Sequence, residues 1–521
     1  MNLRQAAHIG EGGEARSDAE GTGDLVVVVG AGPVGLMLAG ELRLGGARVV
    51  VLERLERPTT ESRASTVHAV TAELFSRRGL LERFGPLRGG GPGHFGGIPL
   101  NLSGVDSPYA GQWKLAQTDI ERELAAWASG LGAEIRRGHT VTGLTELDDR
   151  VIVAAEGPAG PAPVTAAYVV GCDGEDSSVR RMAGFDFPGS AATRELLRAD
   201  VAGVDVPDRR FERHPGGLAI AGRRPDGVTR VMVHEFGRPA RVREGAPSFE
   251  EVAAAWRRVT GDDISCGDPL WLNSFGDACR QVSRYRAGRI LLAGDAAHVQ
   301  MPVGGQALNL GLQDAVNLGW KLAAEVRGDA PAGLLDSYHE ERHAAGARVL
   351  GNIAAQATVL LGGAETDALR EVFGELMALD PVRAHLAGAI SQVSLRYPAG
   401  AAVDPGEDAV GARMPWWPVE VASPGGGPVG PVSDGRGMLL DLRDEPLSHE
   451  RLGALVGGWA DRVRTVAGRS AGRDGLWLIR PDGYVAWRGG ADTGLTAALR
   501  RWFGEPASVP VGSASARRPA R

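Results

Sequence analysis

The 521-residue sequence predicts an α/β fold with α+β parts, and three observations lead to that prediction. Residues 25–29 form a continuous apolar run typical of a buried strand, followed by a glycine-rich turn, helix-forming residues and a second apolar run at 49–52. Residues 228–236 have the signal of a strand next to a turn, and in residues 231–236 alternate side chains, Met232, His234 and Phe236, share one face. Residues 312–326 repeat apolar or small side chains at helical spacing, which indicates a long core-facing helix.

The first unit has the spacing of a dinucleotide-binding strand, turn, helix and strand. Gly30 makes the turn, Gly32 lets a pyrophosphate approach the backbone, and Gly35 lets the helix pack on the strand. Glu53 follows after about 20 residues, where an acid binds a ribose hydroxyl in such units. A glycine-rich turn in any α/β domain is the alternative. Strand, helix and acid together favour a Rossmann-like dinucleotide-binding domain.

A second motif, Gly294-Asp295, follows a short apolar run and precedes the long helix. The positive N-terminal end of that helix should lie near Gly304, Gly305 and Gln306, where it can stabilise negative charge. A carboxylate for a polyol chain and a helix end for an anionic ring suit a flavin.

With Asp173-Gly174 between them, these motifs resemble the single-component FAD-dependent aromatic hydroxylases, the group typified by p-hydroxybenzoate hydroxylase. The resemblance implies a GR2-type FAD-binding domain, NADPH or NADH as co-substrate, and O2 activated as a flavin C4a-hydroperoxide. It also implies that Arg63 reaches the cofactor and that Gln117 contacts FAD. The implied cofactor-binding residues are Gly30, Gly32, Pro33, Val34, Gly35, Glu53, Arg54, Arg63, Gln117, Val141, Asp173, Gly174, Gly294, Asp295, Pro302, Gly304, Gly305, Gln306, Ala307, Leu308 and Asn309.

A narrower resemblance is to hydroxylases that tailor bacterial aromatic polyketides of the angucycline and anthracycline type, and it is carried by residues 93–98, 184–189, 260–264, 280–282 and 336–339. That resemblance implies hydroxylation of a polycyclic aromatic polyketide. Baeyer–Villiger oxygenation, inactivation of an aromatic antibiotic, and a non-catalytic FAD-binding scaffold in a biosynthetic complex stay open as alternatives.

Five side chains are candidates for the substrate side of the site. His68 and His94 could act as the base that withdraws a phenolic proton. Phe95 and Trp113 could stack on a flat ligand, and His234 could face it from the middle domain. Each could equally be a satisfied loop or core residue. No metal site is predicted.

Composition predicts a cytoplasmic enzyme. The 57 basic and 64 acidic residues leave a net charge of −7, which favours neither nucleic acid nor an anionic membrane as a partner. The three cysteines, Cys172, Cys266 and Cys279, have no paired spacing, as expected in a reducing compartment. No apolar run of membrane-spanning length is evident, and a homodimer is possible.

The predicted organisation has six parts. Residues 1–23 form a disordered leader, residues 24–189 the first part of the FAD-binding domain, and residues 190–274 a β-sheet substrate domain. Residues 275–397 complete the FAD-binding domain with a helical region, and residues 398–430 form a Pro/Gly-rich linker. Residues 431–521 resemble a thioredoxin-like C-terminal domain. It contains no cysteine, so packing or dimerisation is its expected use rather than redox exchange.

Overall fold

The computed structural model describes residues 24–60, 64–224, 226–398, 409–415, 420–421, 434–469, 474–490 and 494–507. The predicted leader lies outside these ranges, as does most of the predicted linker.

A six-stranded sheet forms the centre of the molecule and confirms the predicted α/β class. Its valine-rich strands are buried on both faces, which explains their continuous apolar sequence. Five neighbouring strands run parallel, and only the edge strand is antiparallel. In spatial order the strands are Arg286–Ala287, Ile290–Leu292, Tyr168–Gly171, Leu25–Val29, Arg48–Glu53 and Glu134–Arg137.

Two helices pack closely against each other beside this sheet, and glycine makes the approach possible. A Cβ at Gly319 of Gln306–Arg327 would lie 2.3 Å from the Cβ of Glu41 in Pro33–Leu44. The other helices are Ala69–Arg77, Gln117–Gly130, Ser178–Met182, Phe249–Thr260, Asp336–Leu361, Asp367–Met377, Asp380–Ser391, His449–Leu455 and Leu495–Phe503.

A five-stranded antiparallel sheet, here called the middle sheet, forms the second layer. Its strands in spatial order are Arg209–His214, Gly217–Arg223, Thr229–Glu235, Glu195–Ala202 and Asp268–Gly276. The predicted hairpin around residues 224–227 is present. One face packs on helix Phe249–Thr260 through Trp256, and the other contributes Leu196 and Leu218 to a core with helix Asp336–Leu361.

Smaller sheets complete this part of the fold. Three strands, Arg88–Gly90, Gln112–Lys114 and Thr66–His68, form one of them, and Pro92–Phe95 pairs with Ile98–Asn101 in a hairpin. The remaining short strands are Thr140–Glu146, Val151–Gly157, Gly160–Pro161, Val164–Ala166, Gly189–Ser190, Cys279–Gln281 and His298–Val299.

The C-terminal part has its own sheet, in the spatial order Glu420–Val421, Val463–Arg469, Gly437–Asp441, Leu476–Ile479 and Val485–Gly489. Gly437–Asp441 and Val463–Arg469 are parallel, and a hairpin and a helix follow them. The thioredoxin-like assignment stays a prediction. Residues 409–415, inside the predicted linker, pack on this sheet: the Gly411 amide donates to the Val485 carbonyl at 2.9 Å.

Helix Asp336–Leu361 is long and apolar enough to cross a membrane by length and composition alone, although no such run was expected from the sequence. Of its most apolar window, 56% is buried inside the protein. Its Ile353 and Leu360 lie in the core beneath the middle sheet, so packing accounts for its apolar character.

A buried ion cluster joins the C-terminal part to the central layers. The Arg480 guanidinium donates to the Glu341 carboxylate at 2.5 and 2.8 Å and also pairs with Asp482. Lys321 donates to the same glutamate at 2.7 Å. Burial opposes ionisation of Glu341, but the charges of Arg480 and Lys321 outweigh it and lower the pKa of Glu341 to about 2.

We expect Arg480→Met to lower the free energy of unfolding by about 3–5 kcal/mol, because it leaves the buried Glu341 charge without its main partner. Denaturant titration followed by circular dichroism measures the loss. The control is Arg122→Met, which removes an exposed ion pair with Asp119 and should leave the midpoint unchanged. Equal midpoints for both variants would contradict this account of the cluster.

Candidate active site

The three glycines of the first turn meet three different surroundings. Gly30 has φ +106°, and a Cβ there would lie 2.5 Å from the Cys172 carbonyl oxygen. A Cβ at Gly35 would lie 2.0 Å from the Gly30 carbonyl oxygen, so this glycine allows helix and strand to touch. A Cβ at Gly32 would meet nothing within 4 Å. The open side of the turn therefore fits a bulky anionic group such as a pyrophosphate.

A cavity of about 610 Å³ extends from this turn to the middle sheet. Its first end, here the cofactor end, is lined by the predicted residues Gly32, Pro33, Val34, Gln117, Gly174, Asp295, Pro302, Ala307 and Leu308, with Cys172, Glu175 and Ala293. Its second end, here the sheet end, includes Glu195, Arg198, Arg243, Asn273, Phe275, Val299 and Gln300. One continuous space thus joins the predicted dinucleotide cradle to the predicted substrate domain.

The Gly294-Asp295 turn rests on a buried charged group that sequence reasoning missed. The Asp314 carboxylate accepts from the Gly294 amide at 3.1 Å, from Arg342 at 2.6 Å, and contacts the His298 ring at 2.8 Å. Burial opposes ionisation of Asp314, but Arg342 and His298 outweigh it and hold the pKa of this carboxyl below its usual range. An acid on the apolar side of the long helix was the signal that could have revealed it.

Gly304 and Gly305 form a left-handed turn directly before helix Gln306–Arg327, with φ +67° and +68°. A hydrogen bond from a distant strand holds Gly304, and one from the following helix holds Gly305. The His68 ring nitrogen Nε2 lies 2.8 Å from the Gly304 carbonyl oxygen, and Asn309 Nδ2 donates to the Gly305 carbonyl at 2.7 Å. Asn309 Oδ1 also accepts a hydrogen bond from the His68 amide at 2.9 Å, so His68 and Asn309 are joined to each other as well as to the glycine turn.

The state of the His68 ring follows from these contacts. The Gly304 carbonyl can only accept, so Nε2 carries the proton and Nδ1 is an acceptor. Nδ1 is buried without a hydrogen-bond partner in the part of the chain described. Burial is the main cause that lowers the pKa of His68 to about 4, so the ring is neutral near pH 7. The geometry suits a residue that holds the glycine turn, and its predicted role as a base remains a prediction.

Asp173 caps a helix. Its carboxylate accepts from the Ser177 hydroxyl at 2.5 Å and from the Ser178 and Val179 amides at 2.6 and 3.1 Å, at the start of helix Ser178–Met182. Arg180, which the sequence did not single out, donates to the Ala296 carbonyl at 3.0 Å. This bond ties the Asp-Gly motif to the Gly-Asp motif.

The remaining predicted cofactor residues lie in varied positions. Glu53 accepts from the Ala31 amide at 2.7 Å, and Gln117 accepts from the Ala64 amide at 3.1 Å. Gln306 is fully buried and donates to Asn352 at 3.1 Å. Val141 is buried in the core and Arg54 is exposed, whereas Arg63 lies outside the described residues.

The other four predicted substrate-side residues do not line this cavity. His94 Nδ1 accepts from the Gly97 amide at 3.2 Å, and burial above all lowers its pKa to about 4. Phe95 stacks on Phe373 in a satellite core. Trp113 Nε1 donates to the Tyr109 carbonyl at 2.8 Å. Both ring nitrogens of His234 lie within 3.1 Å of backbone carbonyls. Their roles toward substrate stay predictions.

Among the described residues, no group of three or more His, Cys, Asp or Glu side chains is placed to hold a metal ion.

Comparison with known proteins agrees with this geometry. A sequence profile described as an FAD binding domain matches residues 25–352, and one described as aromatic-ring hydroxylase, C-terminal, matches residues 407–506. The 12-dehydrotetracycline 5-monooxygenase/anhydrotetracycline 6-monooxygenase of Streptomyces rimosus subsp. rimosus is 42% identical, over 92% of this chain and 99% of its own length. The rifampicin monooxygenase of Streptomyces venezuelae is 40% identical, over 92% and 98%.

Among solved structures, the chain is similar to that of CabE, an aromatic hydroxylase from angucycline biosynthesis. The TM-score is 0.87 and the identity 48%, over 93% of this chain and 100% of CabE. Fold and cavity define a flavoprotein oxidoreductase with an adjoining antiparallel sheet. The chain belongs to the FAD-dependent aromatic-ring hydroxylases, a family of monooxygenases. The resemblance noted in the sequence is thereby confirmed.

The two glycines of the first turn should respond differently to substitution. Gly32→Val should leave the apoprotein as stable as the parent but abolish FAD retention, because its side chain would occupy the open cradle. Gly35→Ala should lower the free energy of unfolding by about 1–3 kcal/mol, because the added carbon overlaps the Gly30 carbonyl. Thermal melting of apoprotein and flavin fluorescence after gel filtration separate the two effects. A Gly32→Val protein that stays yellow would contradict the assigned cradle.

His68 should make stability depend on pH. Its pKa is about 4 in the folded chain and 6.5 as the ordinary value, so the unfolded chain binds more protons between these limits. The free energy of unfolding should therefore fall as pH drops from 6.5 to 4. We expect His68→Gln, which can still donate to Gly304, to make this decline shallower. The control is His139→Gln, at a half-buried histidine whose ring contacts the Arg137 carbonyl instead of the glycine turn, and it should keep the parent slope.

Proposed function

We propose that this protein is an FAD-dependent NAD(P)H:O2 monooxygenase that hydroxylates a polycyclic aromatic polyketide. The single observation that carries the proposal is the continuous cavity, which has a dinucleotide cradle at one end and a wall of the middle sheet at the other. A flat polycyclic substrate needs a wide space, and this cavity of about 610 Å³ provides one. The tetracycline-modifying and angucycline-modifying relatives support this class of substrate.

Different residues of the chain would bind different parts of the cofactor. Gly32 leaves room for the pyrophosphate, and Asp295 lies where a carboxylate can hold the polyol chain. Gly304, Gly305 and the first turn of helix Gln306–Arg327 provide backbone amides and a positive helix end, which stabilise negative charge on the ring. When bound, FAD takes electrons from NADPH or NADH and supplies activated oxygen to the substrate.

The protein's contribution to the chemical step is positioning and exclusion of water. A phenolic ring is already electron-rich, so holding it against the cofactor end is the main requirement. The apolar core formed by Leu196, Leu218 and helix Asp336–Leu361 closes one side of the middle sheet and keeps solvent away. A proton leaving the phenol needs an acceptor, and His68 and His94 remain candidates for it.

Modification of an aromatic antibiotic is a second candidate function, and the 40% identity to a rifampicin monooxygenase favours it. The two functions share cofactor, oxidant and cavity and differ in whether the substrate is an intermediate or a finished drug. We further propose a cytoplasmic location, supported by three free cysteines among the described residues.

Incubation with NADPH, isotopically labelled O2 and a panel of polycyclic phenols tests the proposal. We expect a hydroxylated product that carries one labelled oxygen, together with NADPH oxidation that the phenol stimulates. A finished ansamycin such as rifampicin belongs in the same panel and measures the second candidate. A ring-expanded lactone would favour Baeyer–Villiger oxygenation instead, and the absence of label from every product would reject a monooxygenase.

A further inference from the structure

The sheet end of the cavity contains a side-chain amide whose hydrogen bonds are unmade. Gln300 follows strand His298–Val299 and lines the cavity at this end. Both its Oε1 and its Nε2 are buried without a hydrogen-bond partner among the described residues. Buried amides are almost always hydrogen-bonded, so an amide left open on both atoms in a cavity wall marks a place where a ligand binds.

A cation lies in the same wall. Arg198 belongs to strand Glu195–Ala202 and is 6% exposed. Its guanidinium stacks over the Trp271 ring at 3.9 Å, which holds the group flat and restricts its rotamers. Leu197, next along the strand, packs on the opposite face of the sheet against helix Phe249–Thr260. Strand alternation therefore directs Arg198 to the cavity side.

A second amide completes the group. Asn273 is directly opposite Arg198 in the register of strands Glu195–Ala202 and Asp268–Gly276, and it also lines the cavity. Two acids of the same strand also contact cations: Glu195 pairs with Arg243 at 3.0 Å, and Asp200 pairs with Arg230 at 2.7 Å and lies within the electrostatic influence of Arg198. The sheet end thus presents amide donors and acceptors beside a positive charge.

We propose that Gln300, Arg198 and Asn273 bind the oxygenated edge of the aromatic substrate, where a ring carbonyl and a phenolic hydroxyl stand side by side. This inference rests on the proposed function. The Gln300 amide donates to the carbonyl through Nε2 and accepts from the hydroxyl through Oε1. Arg198 stabilises the phenolate form of such an edge, and Asn273 supplies a further donor. These side chains would select hydroxylated quinones over hydrocarbons of equal shape.

The cofactor offers another partner for the same amide, because Gln300 lies two residues before Pro302 at the cofactor end. In that case its loss would weaken FAD retention rather than substrate binding. The two cases differ in what is measured, so one experiment separates them.

The experiment compares two probes on the FAD-loaded protein. One is a dihydroxyanthraquinone whose two hydroxyls flank one carbonyl, and the other, here the parent probe, is anthracene, the hydrocarbon of the same three-ring shape. Titration followed by the change in flavin absorbance measures the dissociation constants. We expect Gln300→Leu to weaken binding of the dihydroxy probe by about tenfold or more, from the loss of paired hydrogen bonds, and that of the parent probe by less than about twofold.

Further variants sharpen the assignment. Gln300→Glu keeps a hydrogen-bond acceptor and loses the donor, so we expect its affinity for the dihydroxy probe to lie between those of the parent protein and Gln300→Leu. Arg198→Met should weaken binding of the dihydroxy probe most at a pH where the phenol of the probe is ionised. The matched control is Gln392→Leu, since this glutamine is also buried without a partner for its amide but lies near the end of helix Asp380–Ser391, away from the cavity. It should bind both probes like the parent, and melting curves check that each variant folds.

Three results for the variants would overturn the inference: equal loss of binding for both probes, loss of FAD from Gln300→Leu, or unchanged binding in both Gln300 variants. Failure of the parent protein to bind either probe would also overturn it. Labelled-oxygen incorporation is measured separately on the parent protein, so failure of the proposed function is distinguishable from failure of this assignment.

Discussion

The parallel register of three neighbouring strands is the constraint on which the site depends. Val29 is opposite Gly171, and Gly171 is opposite Leu292. The next residues along each strand therefore reach the same edge of the sheet together. The ladder continues one residue beyond each strand, since the Cys172 amide donates to Val29 and the Ala293 amide donates to Gly171. A slip of one residue would turn every side chain of a strand to the other face and separate the motifs.

Buried charged side chains pack next to this edge of the sheet. They are stable there because each has an ion-pair or hydrogen-bond partner. Arg342 joins Asp314 to the Tyr397 hydroxyl at 2.9 Å and to the Leu310 carbonyl at 3.0 Å. Removing charges from water is costly, so such a network is stable only when its hydrogen bonds are nearly complete. The same logic applies to His68, whose neutral ring uses its single N–H on the Gly304 carbonyl. These contacts fix the two turns that face the cofactor end.

The two ends of the cavity have different physical character. The cofactor end is built from turns and a helix terminus, so backbone amides and glycines dominate it. The sheet end is built mainly from strands, so side chains dominate it, and Arg198, Asn273 and Gln300 lie outside the glycine turn of the dinucleotide cradle. Related enzymes with different substrates can share the first end and vary the second, because function depends on the site more than on the fold.

The local elements of the fold followed from the sequence alone. The apolar run at residues 25–29, the spacing of Gly30, Gly32 and Gly35, and the helical repeat at residues 312–326 depend on short-range sterics and burial. Most of the cofactor end could therefore be predicted. His68 was found as a candidate, but its contact with Gly304, 236 residues away, was not.

Only the tertiary structure decided which side chains reach the cavity. The alternation of side chains along a strand predicts that the strand has two faces. It does not predict which face lines a cavity and which packs against another element of the protein. Phe95 therefore lies in a satellite core with Phe373, whereas Arg198 and Asn273 meet across a strand pair that joins distant parts of the chain. Short-range patterns determined the elements and the cofactor turns. Long-range packing decided the substrate side, because its contacts form only between segments far apart in sequence.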